Sequence, residues 1–441
     1  MGAASPGWGA PIMAASPRWS HQARSGTIAD DPRQGTQTSA VLNLLATTMG
    51  AGLLSLPQAF AYTGWALGIG LMLVTSFCAD LSLQFLVDLG RQSGRMSFEG
   101  NAFHYLGNAG KRGLNVLLIA LLFLASVAMV IIIHDLLPAF IKNMSGHPDA
   151  VYARPELVTA VCLMLIYPVC LLKDLTPLRF TSALALFCIA YYYTSLTASF
   201  FGRHGGPQVH SSVVAINTDP LDVLQGWAIM VAAFICHFNI FRIDGELRAT
   251  ERRKIRRVVH IAIPGIATSI YITGGLMGYF YFGGAVQNNV LVNFHDNPLM
   301  SVARVALSLT NTFKLPLIVS PLRVSLQEVA PGVMNRCPTV EVAVLLALVF
   351  FTALGLGSLS KALGLVGCTC GVAACFIFPG LMRLKFIPVG PAAPPFPGET
   401  ELKPLLGRLF SMAAMVLVVL GTLAGASAFV AQLVDWNHAG P

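Results

Sequence analysis

The chain has 441 residues, 55% of them apolar and 11% charged, with a mean hydropathy of +0.68. No soluble domain of this size has that balance. The net charge of +8 does not point to nucleic acid, because the basic residues fall in alternate loops between apolar runs, where they report membrane topology.

Residues 1–38 are rich in Ala, Ser, Pro and Gly with scattered arginines, the composition of a disordered cytosolic tail. No apolar h-region precedes the first long run, so a cleaved signal peptide is not expected. A hydrocarbon core about 30 Å thick takes ~20 helical residues. Runs of that kind lie near 39–60, 65–89, 114–141, 157–172, 177–201, 221–241, 258–283, 299–322, 340–357, 360–382 and 406–433, which predicts eleven spans in a transmembrane domain over 39–433. The fourth is short, and Pro316 and Pro321 interrupt the eighth. A Pro-rich connector covers 388–398, and 434–441 form a short non-cytosolic end.

Lys and Arg set the orientation. Arg91, Arg95, Lys111 and Arg112 follow span 2, and Lys173 and Arg179 follow span 4. Arg242, Arg248, Arg252, Arg253, Lys254, Arg256 and Arg257 follow span 6, and Arg383 and Lys385 follow span 10. The intervening loop 202–220 has only Arg203. The amino terminus is therefore expected in the cytosol. Asn143-Met144-Ser145 is a glycosylation sequon in an expected outer loop, a triplet that also arises by chance. The nine cysteines lie mostly inside apolar runs and read as packed thiols; Cys368-Thr369-Cys370 lacks the flanking partners of a metal pair. No cofactor, metal or catalytic arrangement is expected.

Within span 1, Thr47–Pro57 reads T-T-M-G-A-G-L-L-S-L-P. Gly50 and Gly52 each lower helix propensity by about 1 kcal/mol relative to Ala, and a weak point in hydrocarbon needs a reason. A substrate site at a broken helix is one reason; close packing through small residues is the other.

Three separated segments resemble the amino acid/auxin permease family of amino acid transporters. The first runs from Val41-Leu42-Asn43-Leu44 into Met49-Gly50-Ala51-Gly52-Leu53-Leu54-Ser55-Leu56-Pro57-Gln58-Ala59-Phe60. The second is Cys236-His237-Phe238-Asn239-Ile240-Phe241 with Ile243 and Glu246-Leu247. The third is Leu359-Ser360-Lys361 with Leu365-Val366-Gly367 and Phe376-Ile377-Phe378-Pro379-Gly380. Arg242 departs from the pattern, standing where the family usually has proline. The resemblance spans roughly 39–385. It implies an all-α membrane fold of two five-helix inverted repeats (about 39–201 and 221–385) plus an eleventh helix, with discontinuous helices 1 and 6 around the substrate.

On that frame Thr47, Thr48, Met49, Gly50, Ala51 and Gly52 form one wall. Free amides and the helix dipole there favour an α-carboxylate. Phe234, Cys236, His237 and Asn239 in helix 6 form the other wall. An intramembrane His is either a satisfied packing residue or a functional one.

Lys314 lies some fourteen residues into span 8, ~21 Å at 1.5 Å per residue, about two-thirds of the way to the cytosol. A charge at the bilayer centre costs about 2.5–3.5 kcal/mol on insertion scales. Sodium-dependent members of the family carry Asn and Thr at the positions of Ala46 and Lys314. The resemblance therefore implies a missing oxygen ligand and an ammonium where sodium would sit, with Thr310 and Thr312 nearby. Two readings follow: Lys314 replaces sodium and links transport to protons, or it turns to the cytosolic vestibule.

The expectation is a secondary amino acid transporter, proton-coupled or sodium-independent, in the plasma membrane or an acidic organelle. The alternatives are a sodium symporter and a membrane amino acid sensor. The expected partners are an amino acid, H+ and the lipid bilayer, with no nucleic acid.

Overall fold

A computed structural model describes residues 35–145, 151–172, 181–202, 209–248, 250–294, 297–329, 337–386 and 403–438. The expectations for the tail before residue 35, for Lys173, Arg179 and Arg203, and for the 388–398 connector lie outside the described residues.

The chain enters the membrane through a capping box: Thr36 accepts from the Ser39 amide while the Ser39 hydroxyl lies 2.9 Å from the Thr36 N–H. That starts α1 (Gln37–Thr48), which stops at the glycines; α2 (Gly52–Thr63) leaves at 59° to it. α3 (Trp65–Ser93) and α4 (Phe98–Ser145) follow. α4 is much longer than the run at 114–141, because an amphipathic segment precedes the apolar one across a kink at Gly107 (φ 73°, ψ −164°), a left-handed conformation that glycine adopts without strain. It also takes in Asn143–Ser145, so the sequon sits on a helix end rather than in a loop.

α5 (Pro155–Cys170) and α6 (Thr181–Phe201) complete the first half. The second half opens with another broken helix, α7 (Pro220–Ala233) and α8 (Ile240–Glu246). Next comes one span built from α9 (Ile255–His260), a π-helical stretch at Ile261–Ala267 around Pro264, and α10 (Thr268–Phe282). α11 (Pro298–Val329) runs through Pro316 and Pro321 without interruption, against expectation. α12 (Pro338–Leu356) precedes a span made of α13 (Leu359–Val366), π turns, and α14 (Phe378–Leu384); α15 (Lys403–His438) is last.

Each predicted span has a helix in its place, but length and composition support fewer than eleven crossings. Nine described helices are long and apolar enough, or ten with the bent α1–α2 pair. The 16-residue α5 reaches only ~24 Å, short of a ~30 Å core. Both halves share one order, a broken helix and then four further spans, and the breaks cross at the centre, with α2 against α7 and α1 against α8. α11 packs along α4 beside them.

Candidate functional site

At the first break Met49 turns extended (φ −83°, ψ 96°) before the chain re-enters helix at Gly52. The two glycines do different things. A Cβ on Gly52 would stand 2.8 Å from the Ala233 Cβ and 2.9 Å from its Cα, so this glycine lets α2 touch α7. Nothing lies within 4 Å of a Cβ on Gly50; the backbone there faces open space. The Leu53 and Leu54 amides are used by Gly50 O and Ala51 O, both at 3.2 Å. The Gly50 and Ala51 N–H groups have no hydrogen-bond partner among the described residues.

The open space is a small cavity of ≈ 20 Å³, room for about one water. Met49, Gly50, Ala51, Leu53 and Leu54 form one side; Ile132 of α4 and Ala185, Ile189 and Tyr192 of α6 form the next. Leu307, Thr310, Asn311 and Lys314 of α11 close it. Thr310 donates to Ala306 O at 2.7 Å and Asn311 to Leu307 O at 2.8 Å. The Lys314 ammonium has no hydrogen bond or ion pair with a described residue. Lys314 lies at the middle of the 32-residue α11, deeper than the span boundary suggested, because the helix continues past Leu322.

The second break has neither Gly nor Pro. α7 closes with a tight turn, Phe234 N–H to Val231 O at 3.1 Å, and Cys236 leaves helical geometry (φ −142°, ψ 3°). Its polar side chains are paired. His237 is fully buried, with Nε2 2.7 Å from Ser82 Oγ and Nδ1 3.2 Å from Cys375 Sγ. Asn239 donates to Thr47 Oγ1 at 2.8 Å. Phe234 meets the Tyr271 ring edge-on, centroids 5.4 Å apart.

Tyr271 of α10 joins the two breaks. Its hydroxyl lies 2.8 Å from Thr48 O and 2.9 Å from Ala233 O, the final carbonyls of α1 and α7, which a helix end leaves unpaired.

Of the expected site residues, the cavity collects Met49, Gly50, Ala51, Thr310 and Lys314. Thr47 and Asn239 pair beside it. The Thr48 hydroxyl turns back to Leu44 O at 2.7 Å, Thr312 bonds Ser308 O at 2.9 Å, and Ala46 is buried. Phe234, Cys236 and His237 are buried among neighbours and do not line the cavity. The sequence reading missed Tyr192, Asn311 and Tyr271. Asn311 had a signal, a polar residue one turn before Lys314; the two tyrosines sit in apolar runs with none.

Contacts cover the cavity toward both faces. On the basic face, buried Asp244 pairs with Arg252 at 2.9 Å and Arg91 at 3.8 Å, and Gly35 pairs with Leu247. On the opposite face, Asn288 O accepts from Ser55 Oγ at 2.7 Å and Ser360 Oγ at 3.4 Å. Arg304 is fully buried there and donates to Leu291 O and Phe294 O.

Two broken helices crossing beside a covered cavity, in a bundle of membrane-length helices, define a transport protein of the broken-helix class. The chain belongs to the transmembrane amino acid transporter protein family, whose profile matches residues 33–426. It is 27% identical to the amino acid transporter AVT6A of Arabidopsis thaliana, over 81% of this chain and 83% of that one. It is also 27% identical to vacuolar amino acid transporter 5 of Saccharomyces cerevisiae (87% and 95%). It is 26% identical to a putative sodium-coupled neutral amino acid transporter 10 of Xenopus laevis, covering 78% of this chain but 34% of that longer one. The crystal structure of MhsT in complex with L-phenylalanine shares the fold, with a TM-score of 0.54 at 11% identity, over 91% of this chain and 99% of that one.

Proposed function

We propose that this chain is a secondary active transporter that carries amino acids by alternating access, independently of sodium and linked to protons. The observation that carries the reading is the cavity at the first break. Unpartnered amides at Gly50 and Ala51 meet an unpaired ammonium at Lys314 there, a setting that attracts an α-carboxylate. The covers on either face would open in turn, with Tyr271 tying α1 and α7 together as they move.

Lys314 also supports sodium independence. Ala46 offers no side-chain oxygen, and a cation already occupies the wall beside the break. A lysine in a low-dielectric site can exchange its proton, so its deprotonation would take the place of ion release. The titratable groups facing it are the Tyr192 phenol across the cavity and the Cys188 thiol, which lies 3.3 Å from Thr310 Oγ1. The runner-up is sodium coupling, which the name of the Xenopus relative favours.

The basic face is proposed to be cytosolic, and the name of the Saccharomyces relative favours a vacuole-like membrane. The test is uptake of a panel of labelled amino acids into a transport-null cell at two external pH values. Uptake of at least one amino acid that rises at the lower pH is expected. No uptake of any amino acid would contradict the carrier reading.

A further inference from the structure

We infer that the cavity takes amino acids with uncharged, apolar side chains and rejects those with a cationic side chain, and that Lys314 is the rejecting group. The inference rests on the carrier reading above and names its substrate class.

The cavity wall holds one formal charge and no carboxylate: Lys314 is the sole ionised side chain among its described lining residues. Along α4 the next carboxylate is Asp135, a turn beyond Ile132, and it stands outside the lining. A substrate's α-carboxylate, drawn to the Gly50 and Ala51 amides, is attracted by the same ammonium. The cavity, which has room for about one water as it stands, must widen to admit a substrate. The substrate's side chain then meets Leu53, Ile132, Ile189 and Leu307, an apolar surface that rewards apolar groups.

A lysine or arginine substrate would carry a second cation into this space with no anion to receive it. At ~5 Å and an effective dielectric of ~20, like charges weaken binding by roughly 10²-fold. A glutamate side chain would have to leave water against the same apolar wall, which also disfavours it.

The test is competition with labelled leucine uptake in proteoliposomes of the full chain. Leucine, isoleucine and methionine are expected to compete, whereas arginine and lysine need roughly 10²-fold higher concentration and glutamate is also weak. In Lys314→Thr, arginine is expected to gain at least about 10-fold relative to leucine, while Lys314→Arg keeps the exclusion. This shift in profile is one that a merely structural role would not produce.

If Lys314→Thr does not accumulate or does not transport, thermal shift of the wild type decides: leucine should raise Tm and arginine should not. Competition by arginine or glutamate as strong as leucine overturns the inference and leaves the carrier reading standing. So does an arginine exclusion unchanged in an active Lys314→Thr. Absence of uptake and of thermal shift with every amino acid overturns the carrier reading itself, and this inference with it.

Discussion

The two helix breaks meet at the centre of the molecule yet are made in opposite ways. The first is built from weakness. Gly50 and Gly52 interrupt the helix, and the opened backbone faces a cavity containing an unpaired ammonium. The second is built from contacts. Phe234–Cys236 contain neither Gly nor Pro and are buried, and the polar side chains beside them are paired: His237 to Ser82 and Cys375, Asn239 to Thr47. Unpartnered backbone beside open space marks a surface that can bind, whereas buried and paired side chains mark one that holds position. On this contrast we propose that the first break binds and the second anchors.

Four substitutions or measurements would break or sharpen that contrast. The largest effect is expected from Gly52→Val, which forces a side chain into the Ala233 backbone, 2.9 Å from a Cβ at that position. Overpacking of this kind costs about 1–3 kcal/mol or more, read as loss of membrane abundance and a lowered Tm. Gly50→Ala meets nothing and should leave Tm alone while reducing uptake; equal thermal damage from both would erase the distinction between the glycines.

Next is His237→Ala, which leaves a cavity and orphans the Ser82 hydroxyl. A loss of about 1–3 kcal/mol in stability is expected, with substrate KM little changed in the protein that folds. A large KM change at wild-type Tm would instead put His237 in contact with substrate. Tyr271→Phe removes the hydroxyl shared by Thr48 O and Ala233 O, about 1–3 kcal/mol for two buried carbonyls. It should slow transport more than it weakens substrate binding.

The fold was legible where physics leaves a periodic or compositional mark. Apolar length found a helix at each predicted run, though not eleven helices of spanning length, and Gly50–Gly52 marked the first break because glycine fails as a helix former. The second break left no such mark in the residues themselves; only resemblance pointed to it, since contacts from α3, α10 and the α13–α14 span impose it. The same limit explains α11. Pro316 and Pro321 suggested an interruption, but α4, α5 and α6 hold the helix continuous. For the site, Gly50 and Lys314 could be seen separately as anomalies, while their meeting in one cavity depends on how α1 and α11 pack and is not a property of either segment.

The smallest effect concerns the frame in which the two breaks operate. Cys337, at the start of α12, is exposed, and its hydrogen bonds to Thr339 and the Val340 backbone hold its thiol below the ordinary range. Because the thiolate reacts, labelling by a membrane-impermeant maleimide should persist to lower pH than for an ordinary thiol. It should also occur from the basic face alone. Labelling from the opposite side would invert the assignment of faces without altering the breaks.

The central claim is that Lys314 stands in for sodium beside the Gly50 break. Its most direct measurement is leucine uptake in proteoliposomes with external sodium replaced by choline, with and without an imposed pH gradient. The account predicts uptake unchanged by the replacement and lost when the pH gradient is collapsed. Uptake that vanishes without sodium and ignores the pH gradient would contradict it.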